Sequence, residues 1–284
     1  MKLLISAIAF FVALKAKGRR VIIMRHGERV DEVDPQWVEK SFKTGKYERY
    51  NLNMPLTAPF RAENLIDSKI DWSADPGLST IGHWTASLMG MKLSKLKVQI
   101  DQVFCSPAMR CVQTASRVIE GYESLPHAVN LKIQIEQGLY EWGYGRGYPL
   151  PRFVEPKLLA EGGTPIDIYY KSAISSNDIS PEETYADFNR RSFNVMDAIV
   201  KQMFRKSSAL IVTHAPLFDA FNLFIGKSPK NLEDWCTRVQ RTPHLFMITY
   251  EETRKGKWCP IKPPIGTFCH AENGKFSYKM LKKL

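Results

Sequence analysis

The chain has 284 residues, 44% hydrophobic and 24% charged, with a net charge of +11. This balance excludes a disordered or fibrous chain and allows a core large enough to need no disulfide or metal staple. The positive charge favours anionic partners, but no dense lysine–arginine block or nucleic-acid motif appears, so nucleic acid is not expected.

Leu3–Leu14 is an apolar run of twelve residues, the length of a signal-peptide core and short for a membrane span. The basic Leu14-Lys15-Ala16-Lys17 that follows lacks a small-x-small cleavage site. Residues 1–18 read equally as an apolar extension, which leaves the protein cytoplasmic, or as a signal that would secrete it or anchor it to a membrane. Five cysteines, Cys105, Cys111, Cys236, Cys259 and Cys269, fit no zinc spacing. They read as free thiols, with a Cys259–Cys269 pair open only to an exported protein.

Val21–Met24 is apolar and rich in β-branched residues, hence a buried strand. Arg25-His26-Gly27-Glu28-Arg29 follows it directly. In an open α/β sheet, ligands bind beyond the carboxyl ends of the strands. Two arginines there can hold a dianion by bidentate bonds, and a neutral imidazole between them can attack it. A basic surface loop is the competing reading.

Asp31–Arg61 is polar and aromatic, a long loop or short helical insertion over the site. Ser79 or Thr80 caps a helix running to Leu93, with Ile81, Trp84, Leu88 and Met91 as its core stripe and His83 exposed. Gln99–Cys105 is a second strand, broken by Ser106-Pro107. A helix follows through Ile119, with Ser106 as its cap and Arg110 in its first turn. A cation there opposes the helix dipole, which favours a role in holding an anion. Leu131–Ile135 alternates as a third strand and leads to Gly138-Leu139-Tyr140-Glu141-Trp142. Aromatic neighbours favour the protonated form of a carboxyl group, so Glu141 is a candidate proton donor, with a solvated loop glutamate as the alternative.

Tyr144–Thr164 reads as loop. The longest helix runs from Pro181 to about Phe204 and buries Tyr185, Phe188, Phe193, Val195, Met196, Ile199 and Met203. Ala209–Val212 is a fourth strand ending in Thr213-His214-Ala215, the same construction as at His26, and Phe218–Ile225 is helical. Leu245–Tyr250 is the last strand, and His127 and His244 read as structural or surface. Strands alternate with helices, which indicates one α/β domain over residues 19–284 with a mostly parallel central sheet flanked by helices.

Arg25–Arg29, Arg110 and Thr213–Ala215 together resemble the histidine phosphatase superfamily, the phosphoglycerate mutase-like proteins. Asn51–Pro55, Cys105–Ala115, Gly138–Trp142 and Asn189–Phe193 narrow the resemblance to one branch. That branch holds the phosphatase domains of the suppressor-of-T-cell-receptor-signalling (ubiquitin-associated and Src-homology-3) proteins and the insect ecdysteroid-phosphate phosphatase. The resemblance implies His26 as phosphorylated nucleophile, Arg25, Arg29 and Arg110 as phosphate ligands, His214 as second pocket histidine and Glu141 as acid. It implies a phosphomonoesterase with no metal or cofactor, acting on a phosphorylated protein or on a small aryl or steroid phosphate, and leaves a homodimer open. The rival readings are an inactive phospho-binding protein and a phosphoglycerate mutase.

Overall fold

A computed structural model describes residues 18–56, 72–124, 130–141, 150–227 and 232–267. Leu3–Leu14, His127, Trp142 and Cys269 lie outside them. The strands are β1 (Arg20–Arg25), β2 (Gln102–Cys105), β3 (Ile133–Ile135), β4 (Ser208–Thr213), β5 (Met247–Glu252) and β6 (Trp258–Ile261). They form one sheet in the order β3-β2-β4-β1-β5-β6. The first four pair in parallel, whereas β5 runs antiparallel to β1 and β6 antiparallel to β5.

Every residue of β1, β2 and β4 is buried, because helices cover both faces of the sheet. Alternate side chains go to opposite layers. Ile22, Met24, Val103, Cys105, Leu210 and Val212 pack with α3 (Thr80–Lys95) and α4 (Met109–Glu123). Val21, Ile23, Phe104, Ala209 and Ile211 pack with α6 (Tyr185–Gln202) and α7 (Ala220–Phe224). Thr184 starts α6 with a reciprocal capping box to Asp187.

The expected stripe of α3 is rotated. Trp84 and Leu88 are 71% and 51% exposed, while Gly82, Ala86, Met89, Gly90 and Leu93 are buried. The cause is close packing on α4: a Cβ built at Gly90 would lie 2.0 Å from the Val118 carbonyl oxygen, and one at Gly121 would lie 2.0 Å from that of Ser87. Small residues let these backbones meet, which turns the larger apolar side chains outward. His83 is half-buried rather than exposed, and its ring Nδ1 accepts from Arg117 Nε at 3.3 Å.

The insertion after β1 contains α1 (Val30–Val33) and α2 (Trp37–Ser41) and packs its own small core of Val30, Trp37 and Met54 with Phe42, Tyr47 and Trp72. Phe42 stacks on Trp72 at 5.9 Å between centroids. Three elements were not anticipated: α5 (Pro156–Glu161) within the expected loop, α8 (Leu232–Arg241) and the edge strand β6. The expected helix from Phe218 is a 3₁₀ turn over Ala215–Asp219 followed by α7. Phe193 on α6 is 42% exposed. Among the described residues, no helix is long and apolar enough to cross a membrane.

Candidate active site

The register of the parallel strands assembles the site. Arg25 pairs with Thr213 across β1 and β4, so His26 and His214 leave adjacent strands at the same level. Cys105 pairs with Val212, which brings Ser106 and the start of α4 to the same edge. The two imidazole centroids stand 5.4 Å apart at an interplanar angle of 66°. Both histidines are buried.

His26 is oriented by its neighbours. Its backbone N–H donates to Thr213 O at 2.9 Å, and its ring Nδ1 lies 2.8 Å from Gly27 O. A carbonyl only accepts, so Nδ1 carries the proton and Nε2 keeps its lone pair. Burial, reinforced by Arg25 and Arg110, drives this histidine well below the usual imidazole range. The ring is therefore neutral at physiological pH. Gly27 N–H donates to Thr114 Oγ1 at 2.9 Å, which ties the turn to α4.

The arginines come from three directions. Arg25 donates Nη1 to Thr242 O at 2.6 Å, and burial lowers it to about 10, still a cation at neutral pH. Arg29 is held bidentately by Asp31, with Nε–Oδ1 at 2.9 Å. Arg110, 1% exposed, donates Nη2 to Glu141 Oε1 and lies 3.3 Å from Asp75 Oδ1 and 3.3 Å from His214 Nδ1. Burial works against its charge, but Glu141, Tyr140 and Asp75 together outweigh it and raise its pKa. Since a guanidinium only donates, His214 Nδ1 accepts, and Nε2–H donates to Ser106 Oγ at 2.8 Å.

All six residues expected from the sequence thus converge: Arg25, His26, Arg29, Arg110, Glu141 and His214. Arg191, in the Asn189–Phe193 motif, donates Nη1 to the carbonyls of Gly138 and Tyr140, each at 2.8 Å, and is paired with Glu183. It thereby fixes the backbone leading into Glu141. Glu28 accepts from Asn53 Nδ2 at 2.9 Å and Ser79 Oγ at 2.5 Å, joining the insertion to the start of α3.

Four groups at the site were not anticipated. Asp75 accepts from Met109 N–H through both carboxylate oxygens at 3.0 Å and reaches Arg110; burial pushes it up to about 6 against the pull of that arginine. Ser106, expected to cap α4, instead bonds to His214, and Asp75 satisfies the helix end. Glu32 and His244, the latter 3% exposed, sit beside Arg25. A turn reading of Asp75-Pro76-Gly77 could have raised Asp75, but nothing local marks His244.

The nearby thiols are not rival nucleophiles. Burial pushes Cys111 up to about 12 and Cys105 well above the ordinary thiol range. Both stay protonated and inert. Among the described residues, no group of three or more His, Cys, Asp or Glu could hold a metal ion.

The chain is similar to ubiquitin-associated and SH3 domain-containing protein B of Mus musculus, 34% identical over 267 residues that cover 92% of this chain and 41% of that protein. It is also 30% identical to ecdysteroid-phosphate phosphatase of Drosophila melanogaster over 273 residues, 95% of this chain and 35% of that protein. The chain therefore spans less than half the length of these curated relatives. In three dimensions it is similar to the tungstate complex of the ecdysone phosphate phosphatase from Bombyx mori, with a TM-score of 0.72 and 25% identity, covering 93% of this chain and 99% of that one. That likeness spans the mostly parallel sheet and the helices on both its faces. Residues 62–254, a range that takes in Arg110, Glu141 and His214, match the family described as "Histidine phosphatase superfamily (branch 1)", and the chain belongs to that superfamily.

Proposed function

We propose that the protein hydrolyses phosphomonoesters without a metal, through a phosphohistidine formed on His26. The observation that carries this reading is the state of His26: a buried neutral imidazole, its Nδ1 fixed by Gly27, set among arginines. Arg25, Arg29 and Arg110 hold the non-bridging oxygens and align phosphorus with Nε2. Positioning and charge stabilisation then supply most of the catalysis.

Nε2 attacks phosphorus as the bond to the ester oxygen breaks, and Glu141 gives that oxygen its proton. Glu141 accepts from Arg110, the bond of a carboxylate. An entering dianion engages Arg110 and faces Glu141 with negative charge, which favours its protonation. In the second step water attacks the phosphohistidine and gives its proton to the Glu141 carboxylate. Phosphate leaves and neutral His26 returns. The substrate class in this reading is a phosphotyrosine protein or a small aryl or steroid phosphate, the last suggested by the names of the ecdysteroid-phosphate phosphatases.

The test is phosphate release from p-nitrophenyl phosphate in EDTA by the parent and His26→Ala, with acid-labile phosphate trapped on the parent in rapid quench. Turnover and trapped phosphate in the parent alone are expected. A folded parent that binds tungstate without turnover would replace this reading with the phospho-binding one. Turnover retained in His26→Ala would remove His26 as nucleophile.

A further inference from the structure

His244 leaves no local mark in the sequence, yet it is the third imidazole of the site. It precedes β5, and the antiparallel pairing of β5 with β1 carries it to the start of the arginine loop. Leu245 N–H donates to His26 O at 3.3 Å, and Arg25 N–H donates to Phe246 O at 3.0 Å. The His244 ring centroid is consequently 5.7 Å from that of His26.

The ring contacts are specific. Nε2 lies 2.8 Å from Glu32 Oε2 and 3.1 Å from Arg25 Nη2. Although burial works the other way, the bond from His244 and the charges of Arg29 and Arg25 hold Glu32 down to about 2. Glu32 is thus a carboxylate, an acceptor only, and the 2.8 Å contact to it makes His244 Nε2 the protonated nitrogen. The longer 3.1 Å approach of Arg25 Nη2 is then a contact between two donors and not a hydrogen bond. Among the described residues, Nδ1 is buried with no hydrogen-bond partner. That fits this tautomer, which leaves a lone pair there rather than an orphaned N–H.

The other oxygen of Glu32 completes the arrangement. Oε1 is 3.7 Å from Arg25 Nη2 and 3.7 Å from Arg29 Nη1. One carboxylate therefore sits between two guanidiniums that would otherwise repel each other, and its remaining oxygen is held by the imidazole. Free to rotate, Glu32 could turn toward the pocket and occupy the arginines as an anion. Held by His244, it spaces them.

We infer that His244 is a positioning residue of the phosphate clamp: by donating Nε2–H to Glu32 it fixes the carboxylate that sets Arg25 and Arg29 apart for a dianion. The inference rests on reading the site as a phosphate site. His244 acts through Glu32 and takes no part in the bond changes at phosphorus, so its loss should act on anion affinity before chemistry.

The experiment compares the parent with His244→Phe, which fills the space without a donor, and His244→Asn, which is smaller but can donate. Tungstate affinity is read by calorimetry, KM and kcat for p-nitrophenyl phosphate in parallel, and folding by thermal melting. A lost hydrogen bond to a charged group predicts a roughly tenfold weaker tungstate Kd and higher KM in His244→Phe, with kcat within about threefold. His244→Asn should recover most of the affinity despite its poorer packing. Parent-like affinity in His244→Phe would overturn the inference. So would loss in both variants or a fall confined to kcat, since the first marks packing and the second chemistry. If either variant fails to melt cooperatively, Glu32→Gln read by the same tungstate titration decides. It removes the charge between the arginines, so unchanged or tighter affinity overturns the inference and a loss of about tenfold supports it. A parent that binds no tungstate would strike the phosphate-site reading instead, before any His244 variant is considered.

Discussion

Glu141→Gln separates binding from chemistry, with opposite signs for the two. Arg110 donates Nη2 to Glu141 Oε1, so this carboxylate competes with phosphate for the guanidinium. A hydrogen bond to a charged group contributes about 1.5–3 kcal/mol and is roughly twice as strong as a neutral one. Glutamine keeps the oxygen and the shape and loses the charge. The substitution therefore removes roughly half of the competition, about 1 kcal/mol, and tungstate should bind about fivefold more tightly. Chemistry goes the other way, because the amide cannot protonate the leaving oxygen. The kcat/KM of an alkyl phosphate, which reports the phosphorylation step, should fall by ~10²–10⁴, while that of p-nitrophenyl phosphate, whose phenolate leaves unaided, should fall far less. The kcat on both esters also carries the loss of the base in phosphohistidine hydrolysis. Calorimetric titration with tungstate and steady-state rates on both esters give the two readouts. Equal losses of kcat/KM on both esters, or weaker tungstate binding, would refute the role assigned to Glu141.

Two further outcomes follow from the same geometry. Burial, with Arg25 and Arg110, holds His26 well below its usual range, so its Cε1–H NMR resonance should stay at the neutral position down to about pH 6, whereas an unperturbed imidazole titrates near ~6.5; titration at or above that value refutes the neutral nucleophile. The unfolded chain takes up this proton below ~6.5 and the folded chain does not, so the stability linked to His26 is whole above that pH and declines as pH falls. Gly90→Ala should destabilise the fold, because its Cβ would meet Val118 O at 2.0 Å and Tyr122 N at 2.8 Å, both backbone atoms that cannot swing away. Overpacking of about 1–3 kcal/mol or more outweighs alanine's helix advantage of about 1 kcal/mol, and a melting temperature equal to or above the parent's would show that α3 and α4 separate freely.

The residues legible from sequence share one feature: each directly follows, or opens the helix after, a strand with an unambiguous apolar run. His26 after β1, His214 after β4 and Arg110 after β2 could be placed at one sheet edge because parallel strands put their carboxyl ends together. Glu141 was reachable for the same reason after β3, while its bond to Arg110 was not, since pairing across separate loops leaves no local pattern. His244 came from the antiparallel strand, whose amino end meets the carboxyl end of β1, so a rule built on strand-end residues passes over it. The α3 stripe was misread because hydrophobicity ranks Trp84 and Leu88 above Gly82, Ala86 and Gly90, whereas backbone-to-backbone packing requires the small ones. The exposed edge strand β6, WCPI, has neither the burial nor the alternation that would announce it.

In the proposed mechanism the arrangement of charge suits a neutral imidazole as nucleophile. Each arginine of the site has a carboxylate: Arg25 has Glu32, Arg29 has Asp31, and Arg110 has Asp75 and Glu141. Buried guanidiniums without such partners would be costly, but a phosphate must then displace some of that compensation. Asp31 is a near neighbour in sequence that grips Arg29 through two nitrogens, and Glu32 is held by His244, so both are anchored away from exchange. In the proposed mechanism Glu141 is the carboxylate whose displacement also does chemistry, because an anion taking Arg110 from it creates the conditions for it to become an acid. An anionic nucleophile in the same place would itself bind the arginines and compete with the dianion. Neutral His26, kept so by burial and by the same arginines, leaves their charge for the phosphate and approaches it without repulsion.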